Sequence, residues 1–416
     1  MKYIKYHIVI LFFLIISCDK KNQETENRNS VKQLTNKTEN SEGVFLFATN
    51  EHKIASWTSY GKNKKENYLK FAVFNENTNT FTTTKTVSSA KGIQIHAESM
   101  AKVGITKANV LYAIFRIKDK NSRSMYGGKV YYATSKDMGT TWSNKKELVD
   151  DTASTSQSFF DIIQLADGEI GISWLDNRKI HKTNTGQTLF YAKTNSKKET
   201  IDSEAAIGGS VCQCCRTDIE LINKNDITIA FRNLIEPNEN SFPTSLKDTI
   251  TEVRDMYTVV SKDNGATFSQ PKNIHIDNWQ INGCPHTGPS LSSTNKSIAS
   301  TWYSGKKDNE GIFFKIENDK EKILVSKTGA HPQMVATNEQ YHIVFEEYHE
   351  KEQKGYTKIV MQSWSENQLL GTKEISKPKT TNDHAVIKKI NDQELLICWV
   401  NTDLRNAVIQ YKTVEL

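Results

Sequence analysis

Histidine and cysteine side chains occupy one recurring position in this sequence. In five segments of the chain, a histidine or a cysteine precedes a strand-ending aromatic residue by 14 to 19 positions. Further cysteines stand beside this position, in a Cys-Gln-Cys-Cys-Arg segment and in a Gly-Cys-Pro-His segment. Imidazole and thiolate groups that converge on one place suit copper or zinc. The sequence therefore predicts a metal or redox site built from His96, Cys212, Cys214, Cys215, Cys284, His286, His331 and His384.

Four of these cysteines have a second interpretation. Exported proteins oxidise their thiols, so Cys212, Cys214, Cys215 and Cys284 would then form two disulfides. A third arrangement is a strained and reducible ring between the adjacent Cys214 and Cys215. Cys398 differs, because it lies within a predicted strand and is expected to be a buried apolar residue. The spacing alone leaves metal binding and disulfide formation both open.

A four-strand unit repeats from about residue 44 to the end of the chain. Each unit has a run of β-forming residues that ends in an aromatic, and helical periodicity of useful length is absent. Such a repeat indicates an all-β fold, a single β-propeller of four-stranded blades. Seven blades are favoured over six, and residues 31–40 are expected to supply the fourth strand of the last blade. The marker aromatics are Trp57, Phe115, Trp174, Phe231, Trp302, Phe345 and Trp399.

The loops that enter the first strands of a propeller converge on the mouth of its central channel. The recurring histidines and cysteine fall in these loops, so we expect them to surround the mouth. A structural role is the alternative for the histidines. Propellers built from tryptophan–aspartate repeats also keep a histidine in this loop, where it forms hydrogen bonds within the blade.

Two turns share the pattern Ser-x-Asp-x-Gly-x-Thr followed by Trp or Phe, at residues 135–142 and 261–268. In such a turn the aspartate accepts hydrogen bonds from the backbone and the glycine adopts a positive φ. With these turns, and with its blade pattern over about residues 44–416, the chain resembles the sialidase superfamily. The turns match that family's Asp-box, or bacterial neuraminidase repeat, in two blades. The resemblance implies a propeller whose Asp-box turns lie on the face away from the active site.

Sialidases bind the carboxylate of their substrate with three arginines, and the resemblance implies Arg116, Arg178 and Arg232 as candidates. Arg116 lies in a Phe-Arg-Ile-Lys segment, in which the lysine replaces the proline of the family. A sialidase also needs a tyrosine nucleophile activated by a glutamate, and an aspartate as acid and base. No motif in this chain fixes those three residues. The long insertion between Asn233 and Arg254 is a candidate lid over the channel mouth.

The first 17 residues have the layout of an export signal, with two lysines before an apolar stretch. They lead into Ile-Ile-Ser-Cys, which resembles the lipobox of bacterial lipoproteins, where the cysteine carries the lipid. The resemblance implies lipid attachment at Cys18, a polar tether over residues 18–40 and a propeller over residues 41–416. The protein is then expected outside the cytoplasm, anchored by lipid to a bacterial membrane (outer membrane or periplasmic face).

Composition narrows the classes of partner. The formal charge is +6, and no block of basic residues alternates with aromatics, so a nucleic-acid binder is disfavoured. After residue 17, no apolar run approaches the ~20 residues that span a bilayer. Three hypotheses remain. The first is a lipid-anchored propeller with a metal or redox site at the channel mouth. The second is an exo-sialidase-type glycoside hydrolase acting on exported glycans. The third is a non-catalytic propeller that binds a glycan or a protein.

Overall fold

The computed structural model describes ten stretches of the chain. The predicted signal, Cys18 and the first part of the tether lie outside them, as does most of the predicted lid. No helix in these stretches is long and apolar enough to cross a membrane. The described residues are 30–61, 66–119, 127–181, 185–222, 225–235, 252–281, 283–351, 354–377, 380–403 and 406–416.

Seven antiparallel sheets form the described part of the chain, which confirms the prediction of an all-β propeller with seven blades. The first strand of each blade contacts the first strands of both neighbouring blades, so these seven strands surround the central axis. We number the blades I to VII along the chain. The small strand β5 adds to the edge of blade I, whose fourth strand is β6.

The strands, blade by blade, have the following bounds. Blade I contains β2 (Ser41–Ala48), β3 (Lys53–Tyr60), β4 (Asn67–Asn75), β5 (Thr80–Phe81) and β6 (Lys85–Lys91). Blade II contains β7 (Lys102–Ile105), β8 (Leu111–Lys118), β9 (Gly128–Ser135) and β10 (Lys146–Glu147). Blade III contains β11 (Gln157–Gln164), β12 (Ile170–Asp176), β13 (Gln187–Asn195) and β14 (Thr200–Val211). Blade IV contains β15 (Asp218–Ile222), β16 (Asp226–Arg232), β17 (Met256–Ser261) and β18 (Lys272–Asn273).

The remaining three blades follow the same order. Blade V contains β19 (Ser290–Ser293), β20 (Ile298–Lys306), β21 (Asn309–Ile316) and β22 (Ile323–Ser326). Blade VI contains β23 (Gly329–Ala336), β24 (Tyr341–Lys351), β25 (Lys354–Ser365) and β26 (Gln368–Glu374). Blade VII contains β27 (Thr381–Asn391), β28 (Glu394–Asp403), β29 (Asn406–Glu415) and, as its outermost strand, β1 (Lys32–Gln33).

Blade VII is completed by the N-terminal strand, as the sequence predicts. Strand β1 pairs with β29, with Lys32 opposite Tyr411. The backbone N–H of Leu34 then donates to the Ile409 carbonyl at 2.8 Å. In return, the N–H of Ile409 donates to the hydroxyl of Thr35 at 2.9 Å. The ring is thus closed by residues that the sequence analysis assigned to the tether.

A bulge in the innermost strand recurs opposite the marker aromatic. In four blades two residues of the first strand oppose one residue of the second, and the first of the two has a positive φ between 47° and 63°. The aromatic that they face is fully buried in every case. The pairs are Gly43–Val44 opposite Trp57, Phe159–Phe160 opposite Trp174, His331–Pro332 opposite Phe345, and His384–Ala385 opposite Trp399.

Glycine suits this left-handed conformation, which costs other residues about 1–2 kcal/mol. Blade I has Gly43 there, whereas blades VI and VII have His331 and His384. The bulges lie at the start of the inner strands, so two histidines occupy strained positions at one end of the propeller.

The two Ser-x-Asp turns lie at the opposite end of the propeller, where each packs against the preceding blade. Asp137 accepts hydrogen bonds from the backbone N–H and the hydroxyl of Thr141, at 2.9 and 2.6 Å. Gly139 has a φ of 81°, and a Cβ there would come within 2.4 Å of the Phe71 ring in blade I. Because Ser135 pairs with Leu111, at the start of β8, this turn lies at the end of blade II remote from Arg116.

We predict that ring closure by the N-terminal strand is a major part of the stability. A chain that begins at residue 39 should unfold about 5 °C or more below a matched chain that begins at Ser30. The shorter chain loses the β1–β29 hydrogen bonds and exposes an unpaired sheet edge. Thermal unfolding followed by circular dichroism measures the difference. Equal midpoints would show that blade VII is stable without its fourth strand.

Candidate functional site

A cavity of about 590 Å³ lies at the mouth of the channel, on the side where the first strands of blades II to V begin. Its wall combines imidazole, guanidinium, amide, hydroxyl and thiol groups with one phenyl ring. Most of these residues lie in the loops that enter the inner strands. The lining residues are Gln94, His96, Ser99, Arg116, Thr155, Ser156, Ser158, Phe159, Asn177, Gln187, Gln213, Cys214, Cys284 and His286.

Three thiols lie together at this wall, in the connection between blades III and IV, and one of them, that of Cys214, lines the cavity. Cys212 directly follows β14, and Cys214 and Cys215 lie in the turn that leads to β15. The Sγ of Cys212 lies 3.5 Å from that of Cys214 and 3.6 Å from that of Cys215. All three residues are buried, and all five cysteines in the described residues are free thiols. We call Cys212, Cys214 and Cys215 the thiol cluster.

The guanidinium of Arg254 adds a positive charge to the thiol cluster. Its Nη1 lies 3.3 Å from the Sγ of Cys212 and 3.9 Å from that of Cys214. Hydrogen bonds from Cys214 and Cys215, together with this cation, hold the pKa of Cys212 well below its usual range. Burial raises the pKa of Cys215. The nearby guanidinium therefore favours a negative charge on the cluster.

Cys284 and His286 come from the loop before β19 and line the same cavity as Cys214. Both are exposed, in contrast to the thiol cluster. His286 has a φ of 50°, and its ring centroid lies 5.6 Å from that of His96. This loop supplies a fourth thiol and an imidazole to the side of the cavity that contains the cluster.

His96 is held as a hydrogen-bond acceptor. Its Nδ1 accepts the backbone N–H of Glu98 at 3.1 Å, so the neutral ring carries its proton on Nε2. Burial, with His286 as the next cause, lowers the pKa of His96. In this orientation His96 can donate to a ligand in the cavity, but neither of its nitrogens offers a free lone pair to a metal ion.

His331 and His384 form a second group, at the bulges of blades VI and VII. Their ring centroids are 4.4 Å apart, and the planes are inclined by 30°. One oxygen of Glu346 lies 2.7 Å from Nδ1 of His331, and the other accepts the backbone N–H of His384 at 2.8 Å. One ligand atom from each of Glu98, His331 and His384 lies within 4.8 Å of the other two. We call Glu98, His331 and His384 the imidazole–carboxylate cluster.

Charges around this cluster are balanced by specific pairs. Burial alone would lower the pKa of His331, but the hydrogen bond to Glu346 and the charge of Glu98 raise it. Glu98 is buried, and burial would raise its pKa; the nearby Arg216, 3.0 Å away, lowers it instead. Sequence analysis missed Glu98, although it lies two residues after His96 in the same loop. Its role depends on contacts with blades that are distant in sequence.

The three candidate arginines do not converge. Arg116 lines the cavity, and its Nε donates to the Gln157 carbonyl at 2.5 Å. Burial lowers its pKa to about 10, so it remains charged at neutral pH. Arg178 is paired with three carboxylates, and Arg232 donates to three backbone carbonyls beneath the surface. Neither of these two lines the cavity as the structure describes it.

No tyrosine, the residue type of the sialidase nucleophile, occurs among the described residues that line the cavity. Asp176 is fully buried, where it accepts the hydroxyl of Ser154 at 2.6 Å and pairs with Arg178 at 2.9 Å. Residues 236–251 of the predicted lid, the insertion between Asn233 and Arg254, lie outside the described residues. Its described flanks pair at Ile235 and Val253, next to Arg254.

Comparison with known proteins supports the fold. No protein-family model and no curated protein matches the sequence. Among solved structures, the polysaccharide lyase Uly1 is 9% identical, with 90% of each chain covered and a TM-score of 0.55. A PL25 ulvan lyase is 10% identical over 92% of this chain and 96% of its own, also at 0.55. The NanB sialidase from Streptococcus pneumoniae is 10% identical over 94% and 71%, at 0.50. At such identities the likeness is one of fold.

Proposed function

We propose that the protein is a metal-binding β-propeller whose thiol cluster holds a copper or zinc ion at the channel mouth. The separation of the sulfur atoms, 3.5 and 3.6 Å, carries this proposal. Tetrahedral zinc with Zn–S bonds of about 2.3 Å places its sulfur ligands about 3.8 Å apart. A disulfide would require about 2.05 Å. The cluster is thus close to the geometry of a metal site and far from that of a disulfide.

Charge balance supports the same proposal. Three thiolates around a divalent ion leave one negative charge in a buried place, and such a charge needs a partner. Arg254 meets that need from 3.3 Å, and its other side is held by Glu252 at 3.1 Å. Thiolates are also the ligands that copper(I) and zinc prefer. The chemistry of the donors therefore agrees with their spacing.

Cys284 is the candidate for a fourth ligand of this site. It lines the same cavity as Cys214 and lies on an exposed loop. Four cysteines would make a closed, structural type of zinc site. Three would leave one position open to a molecule in the cavity, which is the arrangement of a reactive centre. Whether Cys284 binds the ion therefore determines whether the metal is structural or reactive.

The thiol cluster should bind one Co²⁺ ion with the absorption of thiolate-to-metal charge transfer. We expect Cys212→Ser and Cys214→Ser to abolish this band because each removes one of the three clustered thiolates that hold the ion. Cys284→Ser should weaken binding about ten-fold or more while keeping the band. Cys398→Ala is the matched control, since Cys398 is buried in the core of blade VII. The measurement is a Co²⁺ titration of the mature chain with Cys18 replaced by serine.

Two results would contradict this proposal. The first is a charge-transfer band that persists in Cys212→Ser and Cys214→Ser. The second is the absence of titratable thiols in the unfolded, chelated protein, which would mean that the cysteines are paired as disulfides.

A glycan-acting propeller is the second candidate function, and the composition of the cavity supports it. Its volume, about 590 Å³, is in the usual range for a ligand site. Arg116 supplies a cation for a carboxylate, and His96, Gln94 and Asn177 supply polar groups for hydroxyls. Of the three fold neighbours described above, two are polysaccharide lyases and one is a sialidase. An ulvan lyase among them is solved bound to -[GlcA(1-4)Rha3S]-. The ligand class is then an anionic glycan.

We expect saturable binding of a glucuronate-containing oligosaccharide or of sialyllactose. Arg116→Gln should lower the affinity about ten-fold or more, because it removes a charge-assisted hydrogen bond. Lys118→Gln, an exposed cation at the end of the same strand, is the matched control and should change little. Calorimetric titration measures the affinities, and product analysis of the same mixtures detects turnover. Unchanged affinity in Arg116→Gln would exclude this site as the glycan site.

Attachment through Cys18 remains a proposal that rests on the sequence. The apolar stretch and the Ile-Ile-Ser-Cys segment support export and lipid attachment, outside the cytoplasm of a bacterium. Cys18→Ser should move the protein from the membrane fraction to the soluble exported fraction. Fractionation with mass spectrometry of the N-terminal peptide measures this. Membrane association that survives the substitution would rule out anchoring through Cys18.

A further inference from the structure

We propose that the imidazole–carboxylate cluster is a second metal site, separate from the thiol cluster, for a divalent ion such as Zn²⁺ or Fe²⁺. Ligand atoms of Glu98, His331 and His384 lie within 4.8 Å of one another. Bonds of about 2.1 Å to one ion require separations of about 3.0–3.4 Å. Small rotations of the side chains would bring the ligand atoms from within 4.8 Å of one another to this shorter separation. Two imidazoles and one carboxylate form a ligand set that such ions use when positions are left open for other molecules.

His331 is oriented as a metal ligand. Its Nδ1 lies 2.7 Å from an oxygen of Glu346, so this nitrogen donates its proton and leaves the lone pair of Nε2 available. A carboxylate on the far nitrogen is the usual partner of a metal-binding histidine, because it fixes the ring and increases its basicity. His96 has the opposite arrangement, with Nδ1 as the acceptor. His331 can therefore bind a metal ion through Nε2 in this orientation, whereas His96 cannot.

Glu346 also fixes the second histidine. Its other oxygen accepts the backbone N–H of His384 at 2.8 Å, so one carboxylate positions ligands from blades VI and VII. Both histidines occupy the bulge with a positive φ, 49° and 51°, where blade I has Gly43. The bulge recurs in four blades, and in these two neighbouring blades a histidine occupies it. Its effect here is to bring two imidazole rings to a centroid distance of 4.4 Å.

The surroundings favour a cation. Glu98 is almost fully buried and contributes a carboxylate from a loop of blade II. Glu42 and Asp383 also lie close enough to His384 to interact with it electrostatically. Arg216 is the counter-charge, 3.0 Å from Glu98, and is otherwise held by two backbone carbonyls. Four carboxylates, counting Glu346, thus surround the two histidines of the cluster, with His96 and Arg216 as further basic groups nearby.

This site would differ chemically from the thiol cluster. Its nitrogen and oxygen donors are harder than thiolates, so it suits a different ion or a different role. Three protein ligands leave positions for water, and a bound divalent ion lowers the pKa of that water toward neutrality. The proposal does not depend on metal at the thiol cluster, because the two sites share no residue.

Co²⁺ titration distinguishes the two sites. Cobalt with nitrogen and oxygen ligands gives weak visible bands and lacks the thiolate charge-transfer band. We expect the mature chain, with Cys18 replaced by serine, to bind two Co²⁺ ions. His384→Gly and Glu98→Gln should lose the ion without the charge-transfer band, and Glu346→Gln should bind it about 10- to 100-fold more weakly. His349→Gln is the matched control, since His349 also pairs with a glutamate, Glu347 at 3.0 Å, in another part of blade VI.

His384→Gly should remain folded because glycine adopts the left-handed conformation freely, as Gly43 does in blade I. Thermal unfolding checks this, and Glu98→Gln provides an independent test. Equal binding of Co²⁺ by His384→Gly, Glu98→Gln and the parent chain would overturn the proposal, as would a parent chain that binds only the thiolate-ligated ion. The two proposals can also fail separately. If the parent chain shows visible bands but no charge-transfer band, and His384→Gly loses the visible bands, the result would support this site and contradict the thiol site.

Discussion

The fully buried aromatic of each second strand is the constraint on which the channel mouth depends. Trp57, Trp174, Phe345 and Trp399 are completely enclosed, so the strands that carry them cannot shift. Where the first strand has one residue more than its partner, the excess is taken up as a bulge at the inner surface. The packing of the blades thereby places a side chain at the mouth. Glycine offers no side chain at that position, whereas phenylalanine occupies it in blade III and histidine in blades VI and VII.

The mouth contains two groups of side chains of the types that can bind a metal ion, and two different local structures supply them. Three cysteines lie together through a turn between consecutive blades, so their proximity follows from spacing in sequence. Two histidines lie together because the same bulge recurs in adjacent blades. Glu98, from a third blade, connects the histidines with the cavity through its neighbour His96. Soft sulfur donors and harder nitrogen and oxygen donors are thus kept apart on one face.

The likeness to sialidases and polysaccharide lyases is one of fold. Two of the three candidate arginines of this chain form their contacts within the protein. A buried guanidinium needs partners for its donors. Arg232 finds them in backbone carbonyls, and Arg178 finds them in three carboxylates, one of which is the fully buried Asp176. Both guanidinium groups are therefore held by partners within the protein. Of the three candidates, only Arg116 lines the cavity in the described residues, where it lies among histidine, amide and thiol side chains.

By itself the sequence determined the seven blades, the N-terminal strand that completes the last one, and the loops that meet at the mouth. Those features follow from local periodicity and from the burial of one aromatic per repeat. It could not determine which ligands lie together. It also did not reveal that Gly43 and Phe159 take the bulge position in blades I and III, because a bulge depends on how two strands pair. The partners of Glu98 and Arg254, and the division of one predicted ring into two clusters, depend on distances between blades. Only tertiary packing sets those distances.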